Sequence, residues 1–90
     1  MNKAEASTQA AMLIKSKRWD QIHKHGWSTE HDDAHASGEL ANAAAAFATG
    51  RGELWPWEEH FNPSGGYLES LTNAGALILA EIERELRATR

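Results

Sequence analysis

Apolar residues recur at helical spacing along most of the chain, and no segment alternates with the period of two that a half-buried strand shows. Near the C-terminus Leu68, Leu71, Gly75, Ile78, Ile82 and Leu86 repeat at intervals of three and four, an amphipathic stripe on a helix expected from about Tyr67 to Ala88. Leu40, Ala44 and Phe47 fall at i, i+4 and i+7 and predict a core stripe on a helix from near Glu30 to Ala48, capped by Ser28 or Thr29. A first helix is expected over about Lys3 to Lys24, with Ala4, Ala11, Ile14 and Ile22 on one side and Met12 and Trp19 on the flank. Gly26 then supplies the left-handed residue that stops it.

Small residues refine this picture. Ala43 to Ala46 and the triplet Ala74-Gly75-Ala76 let neighbouring helices approach closely. Gly38, inside the second predicted helix, costs roughly 1 kcal/mol relative to alanine and marks a break or a close contact. Gly50 and Gly52 end that element, and residues 51–66 form a loop with two prolines and a closing glycine pair. The expected fold is all-α, a three-helix unit with helices at about 3–24, 30–48 and 67–88 and one ordered Trp/Pro loop.

Ninety residues make a single helical domain, spanning 1–90, with a modest core. That length sits just above the roughly 70–80 residues below which extra staples are needed, so a homo-oligomer sharing its core is expected. The chain has no cysteine, which excludes a disulfide framework and thiolate metal sites and fits a reducing compartment. A net charge of −4 argues against a direct nucleic-acid binder with a basic face. No apolar run approaches the roughly 18–20 residues of a membrane span, and no signal-peptide core is evident, so a soluble cytoplasmic protein is expected.

Candidate chemistry concentrates between Asp20 and Glu39, which hold four of the five histidines and five carboxylates with Lys24 the one cation among them. On a continuous helix Asp32, His35, Glu39 and Asn42 would share a face, and Asp32, His35 and Glu39 are candidate ligands for Mg²⁺ or Mn²⁺. The alternative is a solvated first turn whose carboxylates, Asp32 and Asp33, answer the helix dipole. His31 and His35 in H-D-D-A-H are similar to the H-E-x-x-H zinc pattern, but with a shorter acid and no assured third ligand, so a ligand-contacting or capping role is favoured. His23 and His25 suit the C-terminal end of the first helix.

Trp27, Trp55 and Trp57 either stack on a nucleobase or roof the small core. Glu81 is the carboxylate of the last helix best placed to face the second, while Glu83 and Arg87 form an i, i+4 pair. Arg18, Arg51 and Lys24 are the cations placed to meet an anionic ligand.

Several of these residues also carry a resemblance. Gly26-Trp27, Glu30-His31-Asp32-Asp33, His35, Gly38-Glu39-Leu40, Trp55-Pro56-Trp57, Ala74 to Ile78 and Ala80 to Arg84 together resemble a family of short, mostly uncharacterised phage and prophage proteins. This resemblance covers residues from about 17 to 86 and implies a setting in the cytoplasm of a bacterial host. More distantly the layout is similar to all-α nucleotide pyrophosphohydrolases of the MazG type, whose paired E-x-x-E and E-x-x-D carboxylates hold Mg²⁺ around a triphosphate. Here Asp32-x-x-His35 replaces the first pair, and Glu81 and Glu85 stand where E-x-x-D is expected.

Three functions follow as expectations. The first is sequestration of a nucleotide-derived ligand, such as a host-defence signal, by Trp27, His31, Asp32, Asp33, His35, Glu39, Trp55, Trp57 and Arg18. The second is Mg²⁺-dependent nucleotide hydrolysis, with Asp32, Glu39 and Glu81 catalytic. The third is inhibition of a host protein by docking on it.

Overall fold

Asn2 starts the first helix: its side chain accepts from the Glu5 N–H at 2.8 Å while the Glu5 carboxylate accepts from the Asn2 N–H, a reciprocal cap. The computed structural model describes residues 1–89. Its helices are α1 (Lys3–His23), α2 (Thr29–Asp33), α3 (Glu39–Thr49) and α4 (Tyr67–Ala88), with a short 3₁₀ turn at Gly52–Leu54. The described residues contain no strand. None of the described helices is long and apolar enough to cross a membrane.

α1 ends much as its sequence predicts, with Gly26 at φ +72°. That turn lets the Trp27 N–H reach back to the Gln21 carbonyl at 2.9 Å. The side expected to pack does not do so along its length. Ala4 and Ala11 are exposed, as is every residue from 3 to 12, while Ile14 and Ile22 are half-buried. The two buried residues of α1 are polar, Arg18 and Gln21.

The predicted helix over 30–48 is two helices. Ser28 caps the first, accepting from the His31 N–H at 3.2 Å. In an unbroken helix the His31 carbonyl would accept from the His35 backbone N–H. Instead the imidazole Nδ1 of His35 holds that carbonyl at 2.7 Å, and the His35 N–H bonds to Asp32 O at 3.0 Å. The chain tightens, and Gly38 at φ +88° redirects it into α3. The price of glycine noted in the sequence therefore marks a break.

α3 packs on α4 through small side chains. Leu40, Ala43 and Ala44 meet Ala74, Leu77 and Ala80, and among these Leu40 and Leu77 are the only large side chains. Alanines on both helices let the backbones approach, and dispersion contacts fill the seam. α4 accordingly turns Thr72, Ala76, Leu77 and Ala80 inward, a different face from its amphipathic stripe. Leu68, Leu71, Ile78, Ile82 and Leu86 are between 37% and 65% exposed. α1 meets the stripe at Gly75, where an added Cβ would lie 2.8 Å from Ile14 Cδ1, so a larger residue would force the Ile14 side chain to shift.

Candidate functional site

Trp27, held half-buried at the turn after α1, is one member of an aromatic cluster. Its ring lies parallel to His31 at 5.7 Å and meets Trp57 at 5.9 Å. His31 stands 4.5 Å from His35, which meets Trp57 edge-on at 5.3 Å, and Trp57 in turn meets Trp55 at 4.8 Å. Phe47 and Phe61 extend the cluster behind Trp55. The tryptophans thus roof the α3–α4 core and also line a surface: Trp27, Trp55 and Trp57 pack against the core while remaining half-buried.

Two clefts share Trp27 as a wall. The smaller, about 120 Å³, is bounded by Trp27, His31, His35, Trp57 and Glu59. The carbonyl oxygen against His35 Nδ1 can only accept, so that nitrogen carries a proton and Nε2 is the ring nitrogen left without a protein partner among the described hydrogen bonds. His31 Nδ1 likewise lies 3.2 Å from the Asp32 carboxylate, which orients its ring.

The larger cleft, about 250 Å³, lies between α1, α4 and the loop, with Lys17, Gln21, Trp27, Trp55, Ser64 and Asn73 among its walls. Gln21 is 2% exposed. Neither its Oε1 nor its Nε2 has a hydrogen-bond partner, and the buried indole N–H of Trp55 has none either. Broader grooves of about 400 Å³ beside Met1 to Gln9 and about 420 Å³ between Leu13 and Leu68 have no aromatic wall.

The carboxylates singled out in the sequence are engaged elsewhere. Asp32 is fully buried, and Arg18 Nη2 holds its Oδ2 at 2.6 Å; Arg18 also reaches Glu83 at 3.1 Å and the Trp27 carbonyl at 3.4 Å. Asp32 and Arg18 therefore tie α2 to α1 and α4. Asp33 accepts from Arg87 at 2.7 Å, which holds the guanidinium pKa above its ordinary value. The expected Glu83–Arg87 pair is replaced by these two longer-range contacts.

Glu39 accepts from the Ser37 N–H at 2.7 Å. Its own backbone N–H, and then that of Ser37, hold its pKa below the ordinary value, so its carboxylate is engaged at the start of α3. Glu81 is clasped by Arg84 at 2.6 and 3.3 Å, which raises the arginine pKa. Lys24 pairs with Asp20 and Arg51 with Glu53. The helix break also removes the shared face of Asp32, His35, Glu39 and Asn42. Among the described residues no three His, Asp or Glu side chains are placed to share an ion. The residues proposed for Mg²⁺ or zinc therefore do not fit one.

Of the expected contacts, the structure brings together Trp27, His31, His35, Trp55 and Trp57. It sets apart Arg18, Asp32, Asp33, Glu39 and Glu81. The sequence reading missed Gln21, Lys17, Asn73 and the loop residues Asn62 and Ser64, which complete the larger cleft. A signal for Gln21 was present, since it lies seven residues after Ile14 and three after Arg18 on the inward side of α1. Comparison with known proteins adds no relative: no family model, curated protein or solved structure matches the chain.

Proposed function

We propose that this protein binds and sequesters a nucleotide-derived small molecule without transforming it, and that it does so as a homo-oligomer. The observation that carries the reading is the pair of clefts sharing Trp27, with aromatic walls for a base. Binding is favoured over hydrolysis because Asp32, Asp33, Glu39 and Glu81 each already answer an arginine or a backbone N–H. Activating water needs a carboxylate or metal free to act on it. The resemblance to short phage proteins supports a bacterial cytoplasm as the setting and a host-defence signal as the ligand.

Homo-oligomerisation is supported by the exposed stripe of α4, whose three-and-four spacing suits the seam of a second helix, and by the thin α3–α4 core. An isolated helix of twelve residues or fewer is marginal in water, and the exposed first turns of α1 would gain from the same contact.

The test is incubation of the pure protein with a nucleotide panel, with and without Mg²⁺, followed by mass spectrometry of the small molecules. Sequestration predicts a retained, chemically intact nucleotide under both conditions. Turnover of the bound compound would overturn it.

A further inference from the structure

Ala4, Ser7, Ala11, Ile14 and Arg18 follow one another along α1 at alternating intervals of three and four, which places them on one face of the helix. The second half of that face is packed: Ile14 meets α4 at Gly75, and Arg18 is buried against Asp32 and Glu83. The first half stands in solvent, because every residue from 3 to 12 is exposed. A helical segment of that length is marginal in water on its own, even with the reciprocal Asn2–Glu5 cap. α4 shows the converse. Beyond the α1 crossing at Gly75, Ile78, Ile82 and Leu86 form a ridge at intervals of four, each between 43% and 53% exposed. One chain therefore carries an uncovered arm of small side chains and an uncovered ridge of large ones.

We infer that these two surfaces cover each other between copies: the α1 arm of one protomer lies along the Ile78–Ile82–Leu86 ridge of a second copy of this chain, and its own ridge receives the second copy's arm. The small side chains of Ala4, Ser7 and Ala11 let the two backbones come close around the branched ridge. Such an exchange is isologous, so one two-fold axis covers both arms and both ridges and closes the assembly at a dimer. Charge selects the arm as occupant over a second α4. Lys3 and Lys15, on and just after the arm, have no carboxylate partner among the described residues. Glu85 lies seven residues after Ile78, so it borders the ridge, and its one contact is Arg84 at 3.3 Å. Ridge-on-ridge pairing of two α4 helices brings Glu85 from both copies and no free cation, because Arg84 and Arg87 already answer Glu81 and Asp33. An arm antiparallel to α4 sets its positive N-terminal end, with Lys3, at the negative C-terminal end of α4, with Glu85. Ala4 then lies beside Leu86, and Ala11 beside Ile78. This arrangement rests on the homo-oligomeric reading, to which it gives a contact, and is independent of the ligand.

Lys3 and Glu85 allow a charge swap that does not act by weakening either helix. Lys3→Glu puts an acid in the first turn of α1, and Glu85→Lys puts a cation in the last turn of α4, and the helix dipoles favour both. Either variant alone still sets like charges against each other at the contact, so each weakens the dimer, and the two together restore it.

The experiment joins sedimentation of the full chain with cross-linking, for which the lack of native cysteine leaves a clean background. Ala4→Cys and Leu86→Cys proteins are treated with a short bismaleimide, each alone and as a mixture left to exchange subunits. Expected are a wild-type dimer and a cross-linked species several-fold more abundant in the mixture than in either protein alone. The dimer dissociation constant should rise several-fold in Lys3→Glu and in Glu85→Lys and recover in the double variant. Leu86→Cys that cross-links to itself as fully as in the mixture, or a double variant no tighter than the single ones, would overturn the arm exchange and leave the oligomer standing. A wild-type chain that sediments as a monomer would overturn both.

Discussion

Arg18 and Gln21 are three residues apart on α1, both are polar and both are buried, yet they stand in opposite electrostatic conditions. Arg18 meets two carboxylates and a backbone carbonyl. Gln21 meets nothing with either side-chain polar atom. Opposite charge and hydrogen bonding compensate the desolvation of the guanidinium, so Arg18 belongs to the architecture. The amide of Gln21 has no such compensation, and an unpaired buried amide costs stability. Burial of a polar residue thus supports or strains the fold according to its partners.

The largest expected effect comes from breaking the satisfied side of this comparison. Asp32→Ala leaves Arg18 without its buried partner and is expected to destabilise the protein by about 3–5 kcal/mol in denaturant titration. The double variant Arg18→Met with Asp32→Leu is expected to recover most of that loss and to keep ligand affinity. A recovered fold with abolished binding would show that the pair belongs to the site after all.

Gln21→Leu should move stability the other way, by about 1–3 kcal/mol in favour of the folded state. Equilibrium denaturation measures the effect, and a destabilised variant would show that the amide has partners in solution. Ile82→Glu sharpens a neighbouring distinction, because Ile82 is 51% exposed on α4 whereas Leu77 on the same helix is fully buried. Its expected effect on a monomer is within about 0.5 kcal/mol, while sedimentation should show the oligomer dissociating. An unchanged sedimentation profile would rule out that face as the contact.

The smallest effect concerns Glu39. Its folded pKa is lowered by its own backbone N–H and that of Ser37, so its contribution is fully present above the ordinary glutamate value. That contribution is lost as the pH falls through the lowered folded value. Glu39→Gln is therefore expected to flatten the acid limb of a melting-temperature profile and to leave the neutral range almost unchanged.

Helix content was legible because spacing and capping are local properties. The cap at Ser28, the stop at Gly26 and the length of α4 follow from residues adjacent in sequence. The division between α2 and α3 was only half legible. Gly38 signalled it, but the displacement of a backbone hydrogen bond by the His35 imidazole depends on a ring orientation that spacing does not report.

The face of α4 was misleading for a related reason. Its most apolar stripe is wide and branched, whereas the close α3 contact selects the alanine face, so hydrophobicity and packing point to different sides of one helix. For the site, aromatic and histidine residues were legible by type, and Trp27, His31, His35, Trp55 and Trp57 do converge. The engagement of the carboxylates was not legible, because their arginine partners lie 14 and 54 residues away for Asp32 and Asp33. Gln21 was under-read, since glutamine is unremarkable until its burial and lack of partners are seen.

Native mass spectrometry of the purified full chain asks whether the clefts that share Trp27 hold a nucleotide-derived molecule intact. Sequestration predicts an oligomer whose mass exceeds that of its chains, with denaturation releasing an unaltered nucleotide-type compound. Protein that carries no small molecule and gains no mass with any nucleoside or nucleotide would contradict it.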